Sequence, residues 1–233
     1  MSSRTSLAVL LAACLLAPAA TVMARRHPVA ADWVPAPTAN PRLRFRGERA
    51  IFTHGNLTIQ VERLDGRRRK LFLKSAGLET PDPFDPDVLG LDLFTFLLRV
   101  ENLESQAVEL RPQNFFLITR RPVSNSTPCD FSCLTSLARQ AGFDSDSTRK
   151  FLSTMMDSSE SIAPGGRLSK LLVYTRMPES FKDFVLDLDL ISMGIRQTRF
   201  VIPYHVARIS RKRRQAAAKN SGAPAPASAE RRP

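Results

Sequence analysis

The sequence predicts an all-β protein, an antiparallel β-sandwich of about seven strands with a short helical insertion. Three observations lead to this prediction. Short segments with alternating or continuous apolar side chains recur along the chain. Turn-forming residues separate these segments at the spacing that is typical of sandwiches. Helical spacing of apolar residues is confined to one internal stretch.

The strands are predicted in chain order. Residues Leu57–Leu64 alternate between apolar and polar side chains, which is the period of a half-buried strand. Asp65-Gly66 is a hairpin-type turn signal, so Lys70–Leu73 is expected to be the returning strand. The remaining strands are predicted at Leu93–Leu103, Asn114–Thr119, Arg167–Thr175, Phe184–Ile191 and Thr198–Val206.

Residues 130–157 differ from the rest of the predicted domain. Apolar residues fall at helical spacing twice, first at Leu134, Leu137, Ala138 and Ala141, then at Phe151, Leu152, Met155 and Met156. Gly142 would end the first helix, and Ser145 or Ser147 would cap the second. We therefore expect two short inserted helices, with the two methionines packed between helix and sandwich.

Three motifs between residues 94 and 174 bear a family resemblance. Thr95–Asn102 is a strand ending in Asn, and Pro112–Leu117 has the pattern Pro-x-x-Phe-x-Leu. Ile162–Gly166 then places a Pro-Gly turn before a strand. Together they resemble the exported bacterial immunoglobulin-like domains of the telokin-like type, over roughly residues 57–206. The resemblance implies an immunoglobulin-like sandwich and no particular activity.

The net charge of +12 belongs to the flanks of the chain. Residues 25–49 carry a net charge of +4 and residues 206–233 carry +7, whereas residues 50–205 hold 19 basic and 19 acidic side chains. The predicted division is a signal peptide at 1–24, a Pro/Arg-rich linker at 25–49, the sandwich at 50–207 and a basic, Ala/Pro-rich disordered tail at 208–233.

The N-terminus predicts export to the periplasm, the cell envelope or the extracellular space. Leu7–Ala17 is a short apolar stretch, and Val22-Met23-Ala24 provides small residues for cleavage before Arg25. The apolar stretch is short for a membrane anchor. An alternative is a lipoprotein, since Leu11–Cys14 resembles a lipobox and would place a lipid on Cys14.

Cysteine usage agrees with export. Without Cys14, the chain keeps Cys129 and Cys133, whose spacing is compatible with a small disulfide loop, although two free thiols are the alternative. No metal or cofactor is predicted, because His27, His54 and His205 have no ligand-like spacing. A weak calcium site in the loop with Asp82, Asp85 and Asp87 is the alternative to a solvated loop.

The basic segment Arg208–Arg214 is the strongest exposed feature of the sequence. Its cations, Arg208, Arg211, Lys212, Arg213 and Arg214, are expected either to bind an anionic surface or to act as a solubilising end. The surface would be lipid headgroups, lipopolysaccharide or wall polymer. Nucleic acid is disfavoured, because aromatic residues that could stack on bases are missing from the segment.

The sequence contains no complete catalytic motif. We therefore expect an exported, non-catalytic binding or structural module at the bacterial cell envelope, whose partner is an envelope protein or an anionic envelope surface. Two alternatives stay open. One is a secreted enzyme whose site is built from loops, and the other is a lipoprotein accessory subunit anchored through Cys14.

Overall fold

The computed structural model describes residues 33–38, 40–78, 82–84, 93–175, 181–194 and 196–206. Two antiparallel sheets and three α-helices make up this part of the chain, which is the predicted all-β sandwich. The strands are β1 (Trp33–Pro35), β2 (Leu43–Arg46), β3 (Arg49–His54), β4 (Leu57–Arg63), β5 (Phe94–Asn102), β6 (Val108–Leu110), β7 (Phe115–Arg120), β8 (Val123–Ser126), β9 (Glu160–Ile162), β10 (Arg167–Tyr174), β11 (Asp183–Met193) and β12 (Arg196–Val206). The helices are α1 (Gly66–Ser75), α2 (Phe131–Gln140) and α3 (Ser145–Ser153), and a short 3-10 helix covers Pro112–Asn114.

Strand β11 organises the larger, seven-stranded sheet. It pairs with β12, and it also pairs with β7 through Phe184–Leu188 and with β6 through Ser192 and Met193. Strand β1 extends the sheet beyond β12, β8 pairs with β7, and β9 pairs with β6. The smaller sheet has the order β10-β5-β4-β3-β2. Its strand β4 alternates between apolar and polar residues and buries one face, whereas β5 is a longer apolar run that is buried along most of its length.

Two apolar cores hold these elements together. The larger core lies between the sheets, where alternate side chains of β4 such as Leu57, Ile59 and Val61 are fully buried. The smaller core lies on the outer face of the five-stranded sheet, where the helices cover Leu97 of β5 and Leu171 of β10. Burial of apolar area in both places drives their formation.

The predicted packing between helix and sandwich is confirmed for Met155, whereas Met156 packs between the two sheets. Met155 belongs to the smaller core, under the helices, and Met156 belongs to the larger core between the sheets. Both side chains are fully buried. Met155 also forms a parallel bridge to Leu171 of β10, so the end of the helical insertion is attached to the edge of the smaller sheet.

The two predicted helices of the insertion are present. Asp130 caps α2 by accepting a 2.9 Å hydrogen bond from the Cys133 N–H, and Gly142 follows the helix with φ of 74°. The cap of α3 is Asp144, not Ser145 or Ser147, and its carboxylate accepts from the Ser147 N–H at 2.7 Å. This backbone hydrogen bond lowers the pKa of the Asp144 carboxyl group.

The hairpin predicted after Asp65-Gly66 is wrong, because helix α1 follows instead. The Asp65 carboxylate accepts a hydrogen bond from the Arg68 N–H at 2.8 Å, which makes Asp65 an N-cap. Arg69 and Leu73 of α1 are buried one helical turn apart. Of the stretch Lys70–Leu73, only Leu73 is buried, and the stretch belongs to a helix and not to a strand.

The linker predicted at residues 25–49 needs correction from residue 33 onward. Strands β1 and β2 lie in this stretch and pair with β12 and β3 respectively. Trp33 is 1% exposed, and its ring stacks on Phe181 with the centroids 5.0 Å apart. Proline is compatible with β1 because β1 is an edge strand.

The strand count also exceeds the prediction, with twelve strands in the part of the chain that the structure describes. The five strands predicted from Leu93 onward correspond to β5, β7, β10, β11 and β12. The additional strands are short or lie near the N-terminus. The described sandwich runs from Trp33 to Val206, while the predicted signal peptide at 1–24 and tail at 208–233 lie outside the described residues.

Candidate functional site

An open cleft of about 510 Å³ lies at one end of the seven-stranded sheet. We call it the basic cleft, and its lining residues are Arg120, Arg121, Phe181, Lys182 and Asp183. They come from the end of β7, the turn after it, and the start of β11. Because β7 and β11 are antiparallel neighbours, the end of one strand meets the start of the other.

The turn between β7 and β8 positions the two arginines. Arg120 and Val123 are register partners across this tight turn, and the Thr119 hydroxyl donates a 2.6 Å hydrogen bond to the Pro122 carbonyl. Thr119 is buried, whereas Arg120 and Arg121 are exposed. The side chains of the two arginines therefore reach solvent from a turn whose base is fixed by the sheet.

An aromatic cluster positions the other side of the cleft. Phe181 is 8% exposed and contacts Phe94 and Phe184, with ring centroids 5.8 Å and 6.0 Å apart. Such aromatic contacts add to the free energy of area burial. Lys182 and Asp183 follow Phe181 directly and are exposed, so the buried ring anchors the backbone from which their side chains extend.

The basic cleft carries an excess of uncompensated positive charge. Arg120, Arg121 and Lys182 face one carboxylate, Asp183, and none of the three cations forms an ion pair with any carboxylate in the described part of the chain. Some other surface arginines are paired, for example Arg167 with Glu101.

This composition suits an anionic ligand. Guanidinium groups donate paired hydrogen bonds to phosphate and carboxylate oxygens, and a lysine adds a compact positive charge. Phe181 adds apolar surface behind the cations, although most of its ring is buried. The cleft can therefore hold an anion electrostatically, and its residue types do not by themselves supply a general base beside a nucleophile.

Both flanks of the described sandwich meet the sheet at the same end. Trp33 and Val206 are direct register partners, and the neighbouring residue His205 pairs with Asp183 at the cleft. In the sequence, Arg208 follows Val206 at a separation of two residues. The predicted anionic-surface residues Arg208, Arg211, Lys212, Arg213 and Arg214 themselves lie outside the described residues.

The predicted disulfide joins Cys129 and Cys133, with the Cα atoms 5.3 Å apart. The Cys129 N–H donates a 2.7 Å hydrogen bond to the carbonyl of Val173 in β10. Since Cys133 lies in the first turn of α2, the bond connects the start of this helix to the edge of the smaller sheet. Cys14, the alternative lipidation site, lies outside the described residues.

The residues of the alternative calcium loop do not form one site. Asp82 is buried and lies 2.7 Å from the Arg69 guanidinium, while Asp85 and Asp87 lie outside the described residues. His54 and His205 are also apart. The Nδ1 atom of His54 lies 2.7 Å from the Arg42 guanidinium, and His205 is exposed on β12. Among the described residues, no group of three or more His, Cys, Asp or Glu side chains could hold a metal ion.

Asn102 has a role that the sequence did not reveal. Its buried side-chain amide donates to the carbonyls of Gln106 and Ile162 at 2.9 Å and 2.8 Å, and its carbonyl oxygen accepts from the Glu104 N–H at 3.0 Å. These bonds join the loop after β5 to the end of β9. The Asn at the end of the predicted strand was a signal for this structural role, not for chemistry.

The architecture defines an all-β sandwich protein with helices on one outer face. No protein-family model matches the sequence, and no curated protein matches it either. The resemblance to telokin-like immunoglobulin domains therefore stays a prediction. Within the described residues, no helix has the length and apolar character needed to cross a bilayer.

Proposed function

We propose that this chain is an exported, non-catalytic binding module of the bacterial cell envelope that attaches to an anionic surface. In this proposal, the basic cleft and the basic segment Arg208–Arg214 act together. The single observation that carries it is the position of the cleft. Its three cations, Arg120, Arg121 and Lys182, form no ion pair within the described residues, and they lie at the end of the sheet where Val206 leads into the basic segment.

The energetics of exposed charges support a reversible attachment. Each Lys or Arg close to an anionic surface contributes roughly 1 kcal/mol to the free energy of binding. The cleft and the basic segment together would therefore give measurable binding to that surface. Exposed charges act over only about 8 Å at physiological ionic strength. The attachment should therefore weaken steeply as salt is added.

The test compares three forms of the full chain in a binding assay with anionic vesicles and with lipopolysaccharide. One carries Arg120→Gln, Arg121→Gln and Lys182→Gln, one lacks residues 208–233, and one is unchanged. Both altered forms are expected to bind more weakly at low salt. The matched control carries Arg44→Gln, Arg46→Gln and Arg139→Gln, which removes the same charge from exposed positions outside the cleft.

The outcomes distinguish binding at a local site from a general effect of net charge. Equal losses in the cleft variant and the control would leave only a general charge effect and overturn the cleft assignment. Unchanged binding after removal of residues 208–233 would make this segment a solubilising end. Export, the signal peptide and the alternatives of a loop-built enzyme or a lipoprotein remain predictions from the sequence.

A further inference from the structure

We propose that helix α1 is an interfacial helix that lies on the surface of an anionic phospholipid bilayer. This inference rests on the proposed attachment to an anionic surface, and it names that surface as a bilayer. It also adds a contact that is separate from the basic cleft. The evidence is the distribution of charge, apolar surface and fixed contacts around α1.

The solvent side of α1 is a basic stripe with one leucine in it. The exposed residues Arg67, Lys70, Leu71 and Lys74 follow the spacing i, i+3, i+4 and i+7. Residues at this spacing lie on one face of a helix. We call these four residues the α1 stripe. Its three cations form no ion pair with a carboxylate among the described residues.

Leu71 distinguishes the α1 stripe from an ordinary charged helix face. Its side chain is 59% exposed, whereas Leu73 of the same helix is buried in the smaller core and Phe72 is partly buried against it. Helices that lie in the membrane interface combine lysines and arginines with apolar side chains that enter the bilayer, and the α1 stripe offers this combination with one apolar residue. A hydrated wall polymer would satisfy the cations, but it would provide no apolar layer for the leucine. The leucine therefore favours a bilayer.

The opposite side of α1 is fixed to the sandwich, so the stripe is presented by a folded helix. The Arg69 guanidinium contacts the Asp82 carboxylate at 2.7 Å and donates to the Phe84 carbonyl at 3.0 Å. Arg68 contacts Glu62 of β4 at 3.3 Å. Because the helix is already folded, its binding free energy is not reduced by a cost of ordering the helix.

Helix α1 starts at the end of the sandwich that carries the basic cleft. Just before α1, the Leu64 N–H donates to the Thr95 carbonyl at 2.9 Å, at the start of β5. The neighbouring residue Phe94 contacts Phe181 of the cleft, with ring centroids 5.8 Å apart. The start of the stripe thus lies towards the same end of the molecule as the cleft, so that the two can add to one attachment.

The experiment measures binding of the full chain to vesicles of phosphatidylglycerol and phosphatidylethanolamine. The stripe variant carries Arg67→Gln, Lys70→Gln and Lys74→Gln, and glutamine preserves helix propensity. Each removed cation is expected to weaken binding roughly fivefold, which gives about a hundredfold for three. The control with Arg44→Gln, Arg46→Gln and Arg139→Gln should weaken binding far less. Circular dichroism checks that each variant is folded.

The leucine is tested with a matched pair of positions. Leu71 and Leu103 are 59% and 58% exposed, but Leu103 lies in the loop after β5, at the opposite end of that strand from Phe94. Leu71→Gln should weaken vesicle binding several-fold, whereas Leu103→Gln should not. For insertion depth, Leu71→Trp and Leu103→Trp are compared with brominated lipids. Of the two introduced tryptophans, only the one at position 71 should be quenched. The fluorescence of the single native tryptophan, Trp33, is the same background in both variants.

Each outcome decides one of the two proposals. An unquenched tryptophan at position 71 in bound protein, or stripe variants that bind like the control, would overturn the interfacial helix. If the cleft variant and the form without residues 208–233 lose binding in that case, the proposed function stands. Loss of binding only in the stripe variants would support α1 and contradict the cleft. If the unchanged chain binds neither vesicles nor lipopolysaccharide, both proposals fail.

Discussion

At the scale of single residues, the buried ion pair of Arg69 and Asp82 connects α1 to the sandwich. The Arg69 Nε donates to the Asp82 carboxylate at 2.9 Å, and Nη1 donates to the Thr95 hydroxyl at 3.3 Å. Asp82 also accepts from the Phe84 N–H at 3.0 Å. Because both charges are hydrogen-bonded on several sides, the cost of removing them from water is largely offset.

Breaking this pair should destabilise the protein strongly. In Asp82→Asn the Arg69 charge stays buried without its counter-charge, so we expect the free energy of unfolding to fall by about 3–5 kcal/mol. Urea denaturation measures this change. As a control, Asp146→Asn removes a carboxylate that is 79% exposed in a surface ion pair and should change stability by at most about 1 kcal/mol.

The double variant Arg69→Met with Asp82→Leu tests whether the unpaired buried charge causes the loss of stability. Replacing both charges by apolar groups removes the unpaired charge, so most of the lost stability should return. A double variant as unstable as Asp82→Asn would instead mean that the geometry of the hydrogen bonds, and not charge compensation, is what stabilises this contact.

At the scale of elements, the helical insertion is held in two ways. The disulfide of Cys129 and Cys133 fixes the start of α2, and buried side chains such as Leu134 and Phe151 fix both helices to the outer face of the smaller sheet. The loop closed by the disulfide is short, so the bond restricts few conformations of the unfolded chain. Packing therefore dominates for the insertion as a whole.

Removing the disulfide should have a local effect. For Cys129→Ser with Cys133→Ser we expect faster hydrogen exchange in the first turn of α2 and a stability loss of at most about 2 kcal/mol. Amides of the central strand β5 serve as the internal control and should keep their protection. Increased exchange throughout β5 would show instead that the insertion stabilises the whole sandwich.

At the scale of the whole molecule, the first and last described strands close the larger core. Trp33 of β1 lies between Phe181 and Phe184, with ring centroids 5.0 Å and 4.9 Å apart. Strand β1 is held to β12 through three register pairs. A domain boundary at residue 50 would therefore remove a fully buried aromatic side chain from the core.

Truncation tests this boundary. A chain without residues 1–32 and 208–233 should unfold cooperatively, because β1 to β12 are retained. A chain without residues 1–49 should be strongly destabilised, and Trp33→Ala alone should cost about 3–5 kcal/mol. Thermal unfolding followed by circular dichroism measures all three. Equal stability of the two truncated chains would place β1 and β2 outside the cooperative unit.

Prediction from the sequence succeeded where local pattern and tertiary environment agree. Phe184–Ile191 alternates in polarity and lies in β11, and Leu134 and Leu137 have helical spacing and lie in α2. It failed at Lys70–Leu73, where a short apolar run fits either a strand or one side of a helix. The buried pairing of Arg69 with Asp82 was not foreseeable, because it joins residues across a loop.

The sequence by itself determined the fold class, the cysteine pair and the separation of a neutral domain from basic flanks, because these follow from periodicity, spacing and charge counts. Only the tertiary structure decided that Trp33 belongs to the core and that Arg120, Arg121 and Lys182 line one cleft. Strand pairing brings these residues together from distant parts of the chain, and no local pattern encodes such pairing.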